Sequence, residues 1–133
     1  MRFFKKILII FALATIFMPS ANAQVAQVDT IVERIIGTLQ TTNIDSLSIY
    51  FNHRIELSLP DFSGISSSKH SQLLLSDFFK KNQPTSFNVI SRSHDSDSFF
   101  VIGTIFCESA NYRISFLTKK QHNQQFIYQL SIE

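Results

Sequence analysis

The strongest constraint on how this chain folds is a change of hydrophobic rhythm at Pro84. Beyond Pro84 the helical spacing gives way to four strand-like runs, Ser86 to Ser93, Phe99 to Glu108, Tyr112 to Lys119 and Gln125 to Glu133, and in all but the second apolar residues alternate with polar ones. A period of two places successive side chains on opposite faces of a strand, and no helix meets it. The runs are separated by Asp95-Ser96-Asp97-Ser98, Ser109-Ala110-Asn111 and Gln121-His122-Asn123-Gln124. Links this short and polar join antiparallel neighbours. The second half of the chain therefore reads as a four-strand meander.

Before Pro84 the spacing is helical. Val28, Ile31, Val32, Ile35, Ile36 and Leu39 recur three and four residues apart between Val25 and Thr41, with Asp29, Glu33 and Arg34 on the other side. That is one apolar stripe on a helix. Asn43 or Asp45 is a candidate N-cap for a short helix carrying Leu47, Ile49, Tyr50 and Phe51. Ile55, Leu57 and Leu59 alternate with Arg54, Glu56 and Ser58 in a short strand that Pro60 stops, and Asp61 to Gly64 reads as a turn. Ser67 and Ser68 are caps for a further helix, in which Leu74 and Phe78, and Leu75 and Phe79, are four-residue neighbours. Asn82-Gln83-Pro84 ends it. The resulting class is α+β, with N-terminal helices packed on a curved antiparallel sheet of four to six strands.

Among the strands, Phe87 with Val89, Tyr112 with Ile114 and Phe116, and Phe126 with Tyr128, Leu130 and Ile132 are each expected on one face. The run from Phe99 to Phe106 is apolar on both faces, as in a strand covered on both sides. Two main helices cover one sheet face only, so the other is expected to meet a second copy of the chain, with Phe100, Ile102 and Phe106, or the residues that alternate with them, near the contact. Cys107 is the single cysteine. Its place in that apolar run favours a buried thiol over an interchain disulfide.

The first residues have the pattern of an export signal. Arg2, Lys5 and Lys6 precede an apolar run from Ile7 to Met18, then Pro19, Ser20 and the small-x-small sequence Ala21-Asn22-Ala23. The run is short for a membrane span, which needs about 20 apolar residues. The expectation is a cleaved signal at 1–23, a single domain at 24–133, a periplasmic or secreted location and no stable membrane anchor after cleavage. The whole chain has 12 Lys and Arg against 10 Asp and Glu. Without the three basic residues of the signal, acidic side chains outnumber basic ones by one. No basic stripe remains, so nucleic acid is not an expected partner.

The local strings Tyr50-Phe51-Asn52, Leu57-Ser58-Leu59-Pro60, Ser68-Lys69, Asp77-Phe78-Phe79, Ile102-Gly103-Thr104, Tyr112-Arg113 and Gln129-Leu130-Ser131-Ile132-Glu133, in this order, resemble domain-of-unknown-function family 4783. This is an uncharacterised family of small exported bacterial proteins within the nuclear transport factor 2-like superfamily. The resemblance runs from about Ile31 to Glu133. It departs at Ser67, where the family tends to have Tyr, and at Ser96 and Asn111, where it tends to have Gly. It implies a cone-shaped α+β fold and an exported protein, and it implies no activity, because the superfamily holds isomerases, dehydratases and plain binding modules.

Catalytic residues are not assigned. A proton-transfer enzyme needs a carboxylate desolvated inside an apolar cavity. Asp29, Glu33 and Asp77 fall in helices, Asp45, Asp61, Asp95 and Asp97 in caps or turns, and Glu56 and Glu108 on strands. All are expected as surface charges. His53, His70, His94 and His122 lie near element ends without metal-ligand spacing, so no metal is expected. Asp95 to Ser98 lacks the Gly and distant Glu of a calcium loop and reads as a hairpin turn. No cofactor motif is present: neither a Gly-rich phosphate loop nor a Gly-x-Ser-x-Gly elbow occurs.

The remaining candidates for ligand binding are Arg113, Ser115, Gln129 and Ser131, at alternating positions on the last two strands, with Thr104 beside them and Tyr50 and Tyr112 as an aromatic rim. In a concave pocket Arg113 would pair with an anionic group of a small molecule. The simpler reading is the outward, solvated face of a half-buried sheet. The functional expectation is an exported, noncatalytic ligand-binding or protein-interaction module, a homodimer whose further partner is a small molecule or an envelope protein. The alternative is a small isomerase- or dehydratase-like enzyme using a pocket carboxylate and a Tyr.

Overall fold

The structure is a computed structural model that describes residues 23–133, with side-chain surroundings described from Ile31 onward. The expected signal segment, apart from its last residue, lies outside the described residues, as does the side chain of Asp29. Helices α1 (Ala23–Gln40) and α2 (Ile44–Ser48) precede strands β1 (Phe51–Leu59) and β2 (Phe62–Ser67). Helix α3 (Ser68–Lys81) follows, and then β3 (Pro84–Asp95), β4 (Ser98–Cys107), β5 (Asn111–Gln121) and β6 (Gln124–Ile132).

Local chemistry sets the helix ends. The α1 C-terminus closes with Asn43 N–H donating to Thr38 O at 2.9 Å and Thr42 N–H donating to Leu39 O at 3.3 Å. This is a Schellman arrangement, and Thr42 occupies its left-handed position at φ 55°. Asn43 also caps α2, its Oδ1 accepting from Ser46 N–H at 3.2 Å. Of the two expected caps of α3, Ser67 serves, accepting from His70 N–H at 3.1 Å. Lys80 and Lys81 sit in the last turn, where the helix dipole favours cations.

The strands form one sheet in the order β2-β1-β6-β5-β4-β3. The four-strand meander is antiparallel throughout, as its short links require. The sheet as a whole is mixed, because β1 runs parallel to β6 with Leu57 beside Leu130. Asp61 to Gly64 is not the expected turn. The reversal takes only Pro60 and Asp61, and Phe62–Ser67 folds back along β1, with Phe62 opposite Leu59 and Ser66 opposite Ile55. Its small residues gave no apolar alternation of their own, and the backbone of β1 supplies the ladder.

One face of the sheet carries the core. Ile55 and Leu57 of β1, Val101 and Ile105 of β4, Ile114 and Phe116 of β5, and Leu130 and Ile132 of β6 are all buried against Val32, Ile35, Leu47, Leu75 and Phe79 of the helices. A fully buried side chain of this size contributes about 1.5–3 kcal/mol. The expected face of β6 needs correction. A register shift opposite Leu117 and Thr118 passes over Tyr128, so Ile127 and Gln125 turn inward while Phe126 and Tyr128 remain half-exposed. A second shift, between Val89 and Ser91, leaves Ile90 63% exposed. Such bulges bend a sheet, and they give this one its curvature. Two polar groups are buried here, Gln125 by the inward turn of β6 and Thr118 by its place in phase with Ile114 and Phe116. Thr118 Oγ1 and Gln125 Oε1 have no hydrogen-bond partner among the described residues.

Candidate functional site

The strand registers place Arg113, Ser115, Gln129, Ser131 and Thr104 on the face opposite the core. Thr104 pairs directly with Arg113, Ser115 with Ser131, and Leu117 with Gln129. Each of these residues alternates with a buried neighbour: Ile105, Ile114, Phe116, Leu130 and Ile132. Arg113 is held by two backbone hydrogen bonds with Glu133, of 2.7 and 2.8 Å. Its guanidinium has no ion-pair partner among the described residues, where Arg92 with Glu33 is the one salt bridge.

The two tyrosines lie elsewhere. Tyr112 points to the core side, packs edge-on against Phe78 at 5.1 Å between ring centroids, and donates its hydroxyl to Asn82 Oδ1 at 3.0 Å. It ties β5 to the end of α3. Tyr50 follows α2, packs against the core, and accepts from Ile127 N–H at 2.7 Å through its carbonyl. The polar set and the aromatic pair thus sit on opposite faces of the sheet and form no common pocket.

What Arg113, Ser115, Gln129 and Thr104 do share is a surface with apolar side chains. Phe100 and Phe106 are 36% and 37% exposed, and Ile102 and Leu117 are half-buried. Ile102 stands opposite Ser115, and Phe100 opposite Leu117. No described helix covers these residues. Charges of both signs border them: Arg54, Arg113 and Lys119 against Glu56 and Glu133, all exposed. Three cationic and two anionic side chains give this border mixed sign with one net positive charge.

The carboxylates lie outside. Every Asp and Glu from Glu33 to Glu133 is exposed, and the buried polar residues are Ser66, Ser71, Thr118 and Gln125. Among the described residues no three His, Cys, Asp or Glu side chains gather as metal ligands. Cys107 is buried at the end of β4, its thiol 3.6 Å from the carbonyl of Asn82, and burial pushes that thiol above its ordinary pKa. Such a thiol is a poor nucleophile.

Two clefts open elsewhere on the surface. One lies between α2 and α3, lined by residues that include Asn43, Asp45, Ser76 and Lys80. The other, of about 460 Å³, lies between the start of β1 and the β5–β6 hairpin and gathers His53 and His122. Sequence spacing gave no sign that these two histidines meet. The parallel pairing of Phe51 with Ile127 brings them together, and no local pattern announces a parallel partner 76 positions away.

Helices followed by a curved six-strand mixed sheet define the nuclear transport factor 2-like fold. The chain belongs to the family described as Domain of unknown function (DUF4783), whose model matches residues 32–133. A DUF4783 family protein from Bacteroides ovatus is 28% identical, with a TM-score of 0.70 over 74% of this chain and 89% of that one. Another, from Bacteroides uniformis, is 26% identical, with a TM-score of 0.72 over 76% of this chain and 94% of that one. An NTF-2 like protein of unknown function from Burkholderia xenovorans shares the fold at 8% identity, with a TM-score of 0.65 over 83% of this chain and 84% of that one. No curated protein matches the chain.

Proposed function

We propose that this chain is an exported, noncatalytic interaction module that works as a homodimer through the helix-free face of its sheet. The observation that carries the reading is the row of Phe100, Ile102 and Phe106 along β4, exposed or half-buried on a face that no described helix covers. Contiguous apolar surface of this kind on a small domain marks an interaction site. A second copy fits it best, because the polar border of Arg54, Arg113, Lys119, Glu56 and Glu133 holds both signs, so a self-complementary two-fold contact can pair opposite charges. Export rests on the basic start, the apolar run and Ala21-Asn22-Ala23 in the first 23 residues.

The enzyme alternative needs a carboxylate removed from water, and each Asp and Glu from Glu33 onward lies in water. Hydrogen exchange measured over a dilution series tests the interface. Amides within 98–107 and 111–117 are expected to exchange faster as the protein is diluted, while those of α3 keep their rates. Equal exchange at all concentrations would remove the dimer from the account.

A further inference from the structure

We infer that the cleft between the start of β1 and the β5–β6 hairpin is a binding site for a neutral saccharide. The inference stands apart from the sheet-face dimer, because it uses different residues at the other end of β5 and β6. The cleft is about 460 Å³, within the size range of small-molecule sites. Phe51 and Phe126 line it together with five polar side chains: Asn52, His53, Gln121, His122 and Gln124.

The composition of that lining selects the ligand class. It holds no Asp, Glu, Lys or Arg, so no permanently charged side chain meets the ligand. Side-chain amides offer both donors and acceptors, and a neutral imidazole offers one of each. Hydroxyl groups also donate and accept at once, so a hydroxyl-rich ligand matches this lining. The half-buried ring of Phe126 offers apolar surface for the C–H groups that a sugar presents between its hydroxyls, above a floor of buried Phe51.

The polar groups are only partly used within the protein. Asn52 spends its Nδ2 on Arg54 O at 3.1 Å and keeps Oδ1 free among the described residues. Gln121 accepts from the Tyr128 hydroxyl at 2.8 Å through Oε1 and keeps its NH2 group. The side chains of His53, His122 and Gln124 have no hydrogen-bond partner among the described residues.

The hairpin turn places one of these side chains: His122 occupies the left-handed region at φ 51°, followed by Asn123 at φ 63°, in a two-residue turn of the kind that ordinarily joins such strands. It holds His122 at the edge of the cleft.

Nuclear magnetic resonance titration of the 15N-labelled protein with two probes, maltotriose and N,N′-diacetylchitobiose, tests the site. At least one probe is expected to produce saturable shifts confined to residues 51–53 and 121–126. Gln124→Ala is expected to weaken that binding at least tenfold. His122→Gly is expected to do the same while the melting temperature holds or rises, because Gly relieves the left-handed position. The absence of saturable shifts with both probes overturns the inference, as do unchanged affinities in both variants. Tighter binding of a sulfated disaccharide than of either neutral probe also overturns it.

Discussion

Gly103 on β4 and Phe87 on β3 touch across the ladder with no room for a side chain between them. A methyl carbon at Gly103 would stand 2.8 Å from Cζ of the Phe87 ring and 2.7 Å from the Asn88 carbonyl oxygen. Val89 pairs with Gly103 immediately before the bulge at Ile90, so the ring and the bend of β3 both depend on the bare backbone of β4. Gly103→Ala must displace backbone as well as ring, and overpacking of this kind costs about 1–3 kcal/mol. Urea denaturation is expected to show a loss of roughly 2 kcal/mol. A variant as stable as the parent would show that β3 gives way freely.

Thr42 ends α1 in the left-handed conformation that Gly adopts without penalty. A β-branched residue there costs roughly 1–2 kcal/mol, part of which is offset because Gly makes the unfolded chain more flexible. Thr42→Gly is expected to raise stability by roughly 0.5 kcal/mol and the melting temperature with it. A fall in melting temperature would mean that the threonine side chain has a structural role outside the backbone argument.

Thr118 buries its hydroxyl without a partner among the described residues, on the side of β5 that faces the core. An unsatisfied buried hydroxyl costs about 1–3 kcal/mol, and Val has the same shape without it. Thermal unfolding of Thr118→Val is expected to show a gain of about 1 kcal/mol. Destabilisation would point to a bound water or other group satisfying the hydroxyl.

Cys107 is buried, and its raised pKa means that the folded chain keeps the thiol proton to higher pH than the unfolded chain does. Its stabilising effect is complete below the ordinary thiol range near 8.5 and is lost as pH climbs from there through the folded value. The stability difference between the parent and Cys107→Ala is therefore expected to be constant from pH 6 to 8 and to shrink above about pH 9. A difference that grows with pH would contradict the burial argument.

The fold was largely legible because its rhythm is local. The stripe Val32, Ile35, Ile36 and Leu39 and the alternation through Ile114 and Phe116 each follow from neighbours a few positions away. What escaped was set by distant partners. Phe62–Ser67 becomes a strand because β1 offers it a ladder, and Phe126 with Tyr128 leaves the core face because a bulge opposite Leu117 shifts the register. The polar set of Arg113, Ser115, Gln129 and Thr104 was legible as one face, since alternation fixes that. Its separation from Tyr112 follows from the same alternation, which sets Tyr112 with Ile114 and Phe116, whereas the place of Tyr50 was not legible, because it lies outside the strands and is fixed by packing against the core.

Light scattering of the parent protein and of Ile102→Glu at micromolar concentration tests the central claim most directly. Ile102 lies mid-strand on the helix-free face, half-buried, so a charge there disturbs the contact between copies while the core residues Val101 and Ile105 keep their places. The account predicts twice the chain mass for the parent and the single chain mass for the variant, with closely similar melting profiles at high dilution. A parent protein that scatters as a monomer would contradict it.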